Sequence, residues 1–222
     1  RHLVEGALQS RQPPGRRAGA RRRRRRAFQQ SDRALRRRRF GGFDRELRTR
    51  ILGTVPHALM EFGESLTNLE PVMASLLGQS GVSGVAPLNQ GEGLLIANSQ
   101  TVSVAVLGVN PKLEAQVSIV PKNMLDGDFE SLSNQRFSVV LGSGVASNLG
   151  VVPGDQVTLL IPEATISLAG ITPRFKRLTV VGIFEVGAQL DNQLAFVEIT
   201  DAALLFKLGS GASSIRIQFK NL

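Results

Sequence analysis

The sequence predicts an α+β fold, because strand-like stretches outnumber helix-like stretches and the helices occur singly among them. Period-two runs of Val, Leu and Ile predict the strands, and the clearest run spans residues 101–109. Small-residue and amphipathic stretches such as 144–149 predict short helices. We therefore expect a mixed or antiparallel sheet together with a small β-rich lobe.

Turn and capping signals set the order of the predicted elements. Asn68 is the expected N-cap of the second helix, and Thr200 or Asp201 that of the last helix. Asn110 and Pro111 are expected to form a turn. The predicted strands span 55–62, 82–88, 93–97, 101–109, 138–141, 157–161, 178–184, 194–199 and 213–219. The predicted helices span 43–51, 68–77, 144–149 and 201–208.

The amino-acid composition argues against several kinds of site. The 222 residues include no Cys, Trp or Tyr and two His. Without Cys, neither a disulfide framework nor a thiolate metal site can form. The lack of Trp and Tyr weakens the case for a nucleic-acid surface built on base stacking. No stretch approaches 18 consecutive apolar residues, so we expect no membrane-spanning helix within this sequence.

The net charge of +9 comes from one end of the chain. Residues 1–40 contain 15 Arg, no Lys and two acidic residues, whereas residues 41–222 contain 12 basic and 16 acidic residues. The blocks 21–26 and 36–39 consist of Arg alone, and such blocks repel one another and bury no apolar surface. We therefore expect a disordered Arg-rich segment at 1–40 and a mildly acidic domain at 41–222.

Three origins are open for the Arg-rich segment. An arm that binds nucleic acid or anionic lipid would use its charge directly. A targeting peptide fits poorly, because no apolar stretch follows the positive charges. We favour a non-native reading frame, because natural basic tails usually mix Lys with Arg and this one has 15 Arg and no Lys. Resequencing the gene across this junction tests the hypothesis, which an intact open reading frame would contradict.

One glycine-rich turn superficially matches a dinucleotide-binding motif. Gly142 and Gly144 follow a predicted strand and open a helix, but Ser147 stands where the third glycine belongs. A tight strand-to-helix turn explains the two glycines better. The sequence also lacks the GxxxxGK[ST] pattern that would hold ATP.

The residues that could support catalysis or bind a metal have no suitable partners. His57 has no neighbouring His or Cys, and Ser143 has no His in a triad context. Alternating acids at 126–130 suggest calcium, but the rest of a twelve-residue binding loop is absent, so we expect a solvated turn. We therefore predict no catalytic, cofactor-binding or metal-binding residues and no enzymatic activity.

The most informative segment runs from Pro162 to Pro173, between two predicted strands. A proline cannot continue a central strand ladder, so each of them marks where pairing stops. The segment is longer than the roughly two to five residues that a hairpin connection needs. We expect its apolar residues Ile166, Leu168 and Ile171 to be exposed, which favours a contact device. A merely flexible hairpin tip is the alternative.

Several runs of the sequence resemble the LolC/LolE family, the membrane subunits of the lipoprotein-releasing ABC transporter of Gram-negative bacteria. GFDRELRTRILGTVPHA at 42–58 resembles the segment that follows the first transmembrane helix of these subunits. VLGVNP at 106–111, VVLGSGVASNLGVVPGDQVTLLIP at 139–162 and RFKRLTVVGIF at 174–184 extend the resemblance. The resemblance covers nearly all of the acidic part of the chain.

This resemblance implies a MacB-type periplasmic domain of the FtsX superfamily, inserted between transmembrane helices one and two. Such a domain has a mixed α/β lobe, called Porter, and a small β-rich lobe, called Sabre, which bears or adjoins a projecting hairpin. It further implies a fragment of an inner-membrane protein, with membrane helices on either side of the domain. The run ALRRRRF stands where the first helix belongs, which supports the reading-frame hypothesis for residues 1–40.

The resemblance also implies a role for the proline-bracketed segment. In LolC-type subunits a hairpin called the Hook recruits LolA, the soluble carrier that takes the extracted lipoprotein across the periplasm. Thr158 stands where LolC has a basic residue, so a LolE-type role in contact with the lipoprotein stays open. The residues that match the Hook and its basic patch are Pro162, Glu163, Ala164, Thr165, Ile166, Ser167, Leu168, Ala169, Gly170, Ile171, Thr172, Pro173, Lys176 and Arg177.

The predicted function is the handing of outer-membrane lipoproteins from the inner membrane to a LolA-type carrier, by a domain that binds proteins and performs no chemistry. The implied partners are that carrier, the lipoprotein cargo, a second LolC/LolE-type subunit and a LolD-type ATPase. One alternative is the periplasmic domain of another MacB/FtsX-type permease with a different cargo. The other is a nucleic-acid-binding protein that uses the Arg-rich segment.

Overall fold

The computed structural model of the chain describes residues 58–162, 166–167, 170–171, 173–187 and 189–220, and it describes the two short ranges through their backbone alone. The Arg-rich segment, the predicted helix at 43–51 and His57 lie outside the described residues. None of the helices in the described ranges is both long enough and apolar enough to cross a bilayer.

Strands dominate the described part of the chain, as the sequence predicts. The strands are β1 (Ala58–Leu66), β2 (Val82–Ala97), β3 (Gln100–Val109), β4 (Met124–Gly127), β5 (Ser138–Gly142), β6 (Gln156–Ile161), β7 (Ile166–Ser167), β8 (Gly170–Ile171), β9 (Arg174–Phe184), β10 (Leu194–Glu198) and β11 (Ala212–Phe219). The α-helices are α1 (Glu70–Leu77), α2 (Pro111–Val117), α3 (Ser143–Leu149) and α4 (Ile199–Phe206), and 3-10 turns lie at Val120–Lys122, Phe129–Ser133 and Gln189–Asn192.

Nine of these strands form one mixed sheet. Its order is β1–β11–β2–β3–β10–β5–β9–β4, and β6 pairs with both β2 and β9. β10 runs parallel to β3, and β5 runs parallel to β9. Because β6 bridges β2 and β9, the strands β2, β3, β10, β5, β9 and β6 close into a ring. The mixed sheet is confirmed; the closed ring is not apparent from the sequence.

Alternate side chains from all six strands fill the interior of the ring. Its buried apolar residues include Leu95, Val104, Val106, Val139, Leu141, Val157, Leu159, Ile161, Leu178, Val180, Ala195 and Val197. α3 covers one end, where Asn98 Nδ2 donates to the carbonyl oxygens of Leu149 (3.0 Å) and Gly150 (2.9 Å). α4 covers the other end, where a Cβ on Gly108 would overlap that of Ala202. The ring is therefore a packed core.

A second core lies where β1, β11 and the first half of β2 meet α1. Val82, Val85, Ile215 and Ile217 are buried there against the apolar side of α1.

Because side chains alternate along a strand, Arg216 points to the opposite face of β11, toward α2. Its two terminal nitrogens donate to the Glu114 carboxylate, one of them at 2.8 Å, and both residues are buried. Burial lowers the pKa of Arg216 to about 9, so its guanidinium is charged at neutral pH.

Strand β2 is one continuous strand of 16 residues, so the predicted break in its middle is wrong. Asn89 lies in the stretch that resembles a turn, but it is buried and its side chain is fully used. Its Nδ2 donates to two backbone carbonyls, and its Oδ1 accepts from the Ser213 N–H. Gly91 is required because a Cβ there would overlap the ring of Phe206. These polar and small residues attach α4 and β11 to the strand.

Two helices near the start of the described chain differ from the prediction. α1 has Leu69 rather than Asn68 as its N-cap, because Leu69 packs into the second core and no side chain caps the helix. α2 was not predicted. Asn110, expected in a turn, is its N-cap and accepts from the N–H groups of Lys112 (3.2 Å) and Leu113 (3.3 Å).

The cap of α4 also differs from the prediction. Glu198, rather than Thr200 or Asp201, caps the helix, and its carboxylate accepts from the N–H groups of both those residues. Asp201 does not cap because its own carboxylate binds elsewhere. The other predicted elements that lie within the described residues are confirmed within a few residues, including the tight turn at Gly142 between β5 and α3.

Candidate partner-binding site

The proline-bracketed segment contains a small hairpin of its own. β6 ends at Ile161 and β9 begins at Arg174. Between them β7 and β8 pair antiparallel, with Ile166 opposite Ile171 and residue 167 opposite residue 170. Within the segment predicted as a long loop, residues 166–167 and 170–171 therefore form a short antiparallel ladder.

The structure describes the side chains at the two ends of this hairpin but not those at its tip. Pro162 and Pro173 are both exposed, at the two ends of the segment. The side chains of Ile166, Leu168 and Ile171 lie outside the described residues, so their exposure stays a prediction. The other predicted Hook residues from 163 to 172 likewise have no described side chain.

The root of the hairpin is attached to the end of the ring that α4 covers. Arg174 donates to the carbonyl oxygens of Leu205 (3.0 Å) and Leu204 (3.4 Å), in the last turn of α4. A cation at this position satisfies carbonyls that have no partner within the helix and favours the negative end of the helix dipole. The first residue of β9 therefore fixes the hairpin root to α4.

The predicted basic patch beside the hairpin divides into two different environments. Lys176 is half-buried, and its Nζ lies 3.3 Å from the centre of the Phe137 ring, a cation–π contact. Arg177 is exposed and forms no ion pair with any described residue. It lies opposite Thr158 in the register of β6 and β9. Arg177 is therefore the exposed cation of this patch.

A buried carboxylate holds Phe137 under Lys176. Asp201 accepts from the Phe137 N–H at 2.5 Å and from Arg136 Nε at 2.6 Å, and it is 1 % exposed. Phe137 has a φ of 53°, a left-handed conformation that is uncommon for a residue other than Gly. The hydrogen bond that the Phe137 N–H donates to Asp201 stabilises this conformation, because without it the part-buried N–H would lose its partner.

Large apolar side chains are exposed around the same root. Phe175 is 61 % exposed on β9, and Leu204 is 54 % exposed on α4. Phe175 lies opposite Leu160 of β6, and Leu160 lies opposite Leu94 of β2, so an outward-facing apolar row crosses three strands. Exposed large apolar groups that neighbour one another are typical of interaction surfaces.

Sequence reasoning missed Phe137, Asp201 and Leu204 as members of this site. Asp201 was assigned to a helix cap, and Phe137 precedes a strand without any motif. Leu204 lies on an apolar helix, where an exposed and a buried leucine look alike in sequence. The three residues come together only because α4 covers the ring beside the hairpin root.

The acidic run at 126–130 is exposed at its acids but is not the solvated turn that the sequence predicts, because Asp126 lies in strand β4 and Glu130 in the 3-10 turn Phe129–Ser133. Asp126 accepts from the N–H of Gly127, Asp128 accepts from Ser131, and both acids are exposed. Within the described ranges no group of three or more His, Cys, Asp or Glu side chains is placed to hold a metal ion.

The described residues form an α+β domain with one nine-stranded mixed sheet and single helices between its strands. Comparison with known families is specific: the profile of the MacB-like periplasmic core domain matches residues 18–221. The chain belongs to this family.

Curated relatives confirm the resemblance to LolC and LolE. The lipoprotein-releasing system transmembrane protein LolC of Neisseria meningitidis serogroup B is 31% identical over 178 residues, which are 79% of this chain and 43% of that protein. The protein LolE of Haemophilus influenzae is 30% identical over 168 residues, 72% of this chain and 39% of that protein. The chain thus spans less than half the length of these relatives.

A solved structure supports the fold. The extracellular domain of the noncanonic ABC-type transporter YknZ from Gram-positive bacteria superimposes with a TM-score of 0.50 and 14% identity. The match covers 74% of this chain and 84% of that domain. At this identity the similarity concerns the fold alone.

Proposed function

We propose that the chain is the periplasmic domain of a LolC/LolE-type permease subunit in an inner-membrane lipoprotein-releasing ABC transporter. Its role is to bind proteins while a LolD-type ATPase supplies the energy from the other side of the membrane. A second LolC/LolE-type subunit and the lipoprotein cargo complete the proposed assembly. The relatives named above support the transporter class, and the surface at the hairpin root supports a binding role.

One observation carries the more specific proposal that this domain recruits a LolA-type carrier. Pro162 and Pro173 bracket a two-stranded hairpin. Its root carries Phe175, Arg177 and Arg174, and Arg174 donates a hydrogen bond to a carbonyl of α4. Such a hairpin presents a preorganised backbone, which lowers the conformational entropy lost on binding. We assign this hairpin, residues 162–173, as the carrier-docking element.

The two lobes implied by the resemblance have a natural counterpart in the two apolar cores. The ring of six strands encloses one core, and α1 with β1 and β11 encloses the other. Strand β2 contributes to both. We propose that each of these two cores belongs to one of the two lobes, Porter and Sabre. The hairpin then lies on the lobe that contains the ring of strands.

The experiment replaces the apolar tip residues Ile166 and Leu168 by Ser and measures binding of the LolA-type carrier from the same genome. Loss of buried apolar area should weaken binding by roughly 2 kcal/mol, about thirtyfold, and act mainly on the dissociation rate. Leu125→Ser is the matched control, because Leu125 is 60 % exposed on the distant edge strand β4. Unchanged binding in the double variant would show that the hairpin is not the docking element, and a LolE-type role would then be favoured.

A further inference from the structure

One peptide bond of the edge strand β4 combines a reactive sequence with an exposed position. Asp126 is the one Asp of the sequence that is followed by Gly, and no Asn of the sequence is followed by Gly. Because Gly has no Cβ, it leaves its backbone nitrogen open to the side chain before it. Asp126 and Gly127 are both exposed, and β4 pairs with β9 alone among the described strands. The proposed function gives this bond no role.

The local geometry brings the carboxyl group of Asp126 and the backbone nitrogen of Gly127 together. The Gly127 N–H donates to Oδ1 of Asp126, with 2.8 Å between the nitrogen and the oxygen. The carboxyl carbon is bonded to that oxygen, so it lies beside the same nitrogen. Gly127 has a φ of 72°, and the register of β4 and β9 shifts between Met124 and Asp126, so the strand is irregular here. An edge strand also opens locally more easily than a central one, which gives a ring room to close.

Two comparable positions are arranged differently. Asn98 has a left-handed backbone with a φ of 49°, but its Nδ2 donates to the carbonyl oxygens of Leu149 and Gly150. The end of α3 therefore holds this side-chain amide. Asp128 is exposed, but the buried residue Phe129 follows it and covers its peptide nitrogen with a bulky side chain.

We infer that Asp126 is a site of spontaneous isomerisation to isoaspartate. The Gly127 nitrogen attacks the side-chain carboxyl carbon, and the new N–C bond closes a five-membered succinimide ring. The carboxyl OH leaves together with the amide proton as one water molecule. A water molecule then opens the ring at the former main-chain carbonyl, which gives isoaspartate, or at the side-chain carbonyl, which restores Asp. The composition is unchanged overall, so the reaction needs no enzyme, oxidant or reductant.

Isomerisation adds one atom to the backbone of β4, because the main chain then runs through the former side chain. The strand is anchored on both sides of the bond. A Cβ on Gly182 of β9 would overlap the end of the Met124 side chain, and Phe129 is buried with its ring centre 5.5 Å from that of Phe196. The extra atom between these anchors should break the pairing of residues 126 and 127 with β9, so the converted chain should be less stable.

The test incubates the full chain for several weeks in warm neutral buffer made with water that carries heavy oxygen. Peptide mapping by chromatography and mass spectrometry should show two separately eluting forms of the peptide that contains Asp126. The isoaspartate form should carry one heavy oxygen from ring opening, and its fraction should exceed that at every other Asp and Asn. Asp126→Glu keeps the charge at this exposed position and should give no such form, because Glu would have to close a six-membered ring.

A parallel incubation of the full chain in urea removes the fold. The inference is overturned if the folded chain does not convert at Asp126, whether or not the unfolded chain does. Equal conversion at Asn98 or Asp128 in the folded chain would overturn it as well, because the geometry would then have no effect. The separated isoaspartate form should melt about 2–4 °C below the unconverted chain, and equal melting temperatures would overturn the break in the pairing of β4.

Discussion

Two neighbouring cations on one strand have different surroundings, and this difference matters for any partner. Lys176 and Arg177 are adjacent in sequence, so they point to opposite faces of β9. Lys176 lies over the Phe137 side chain at one end of the closed ring of strands, and Arg177 extends into solvent. A half-buried cation affects mainly the dissociation rate of a complex, through short contacts. An exposed cation affects mainly the association rate, through long-range attraction.

Arg177→Ala should therefore slow carrier association and leave dissociation nearly unchanged. Loss of one exposed rim charge should lower the association rate by a few-fold at low salt, and the difference should vanish at high salt. Lys122→Ala is a suitable control, because Lys122 is also an exposed cation but lies in the 3-10 turn Val120–Lys122, away from the hairpin root. Stopped-flow association rates at two ionic strengths check this, and an equal effect at both would contradict the steering role.

The buried ion pair of Arg216 and Glu114 supports a second prediction at the residue scale. Arg216→Met should lower the free energy of unfolding by about 3–5 kcal/mol, because it leaves the Glu114 carboxylate buried without a counter-charge. The double variant with Glu114→Leu should recover most of that loss, since an apolar pair can replace a buried ion pair. Urea denaturation of the three chains measures this, and a single variant that loses under about 1 kcal/mol would contradict it.

At the scale of elements, two glycines determine where α4 lies. Gly91 of β2 and Gly108 of β3 are the positions where a Cβ would overlap Phe206 and Ala202 of the helix. The backbone of α4 can therefore approach the strands closely, and Leu204, Leu205 and Arg174 come together at the hairpin root.

Gly108→Ala should push α4 away and destabilise the domain by about 1–3 kcal/mol, the usual cost of overpacking. Ala202→Gly in the same chain should restore part of the loss, because it removes the atom that the new Cβ meets. Gly63→Ala is the control: no atom lies within 4 Å of a Cβ built there, on the edge strand β1. Thermal or urea unfolding would contradict this account if Gly108→Ala and Gly63→Ala had equal effects.

The predictability of these elements follows the range of the forces that form them. β3, with its clean apolar alternation, and α3, after a small-residue turn, depend on local pattern and were predicted. The continuity of β2 was not, because Asn89 and Gly91 are turn-forming residues whose partners lie more than 100 positions away. Long-range hydrogen bonds leave no local periodicity in the sequence.

The same distinction applies to the candidate site. Pro162, Pro173 and the two cations on β9 were found from local pattern and family resemblance. Phe137 and Leu204 were not, because the ring must close before β5, β9 and α4 share one end. The hairpin segment was thus predictable, and the grouping of Phe137 and Leu204 beside it was not.

At the scale of the whole molecule, the closed ring explains how the domain can be stable without disulfides. Six strands and two helices bury a continuous apolar core on one side of the sheet, and a second core lies at the other end of β2. The described residues of both cores lie outside residues 163–172. We therefore expect that this segment can change in sequence for a partner while the domain keeps its fold.

The last prediction separates the domain from the Arg-rich segment. A chain that begins at Gly42 should melt within about a degree or two of the full chain, because a block of arginines buries no apolar surface. It should also keep its affinity for the LolA-type carrier. Calorimetry and carrier binding on both chains check this. A large drop in melting temperature would show that residues 1–41 belong to the fold, and a loss of carrier binding would show that the Arg-rich segment takes part in docking. Salt-sensitive binding of nucleic acid by the full chain alone would favour the basic-arm alternative.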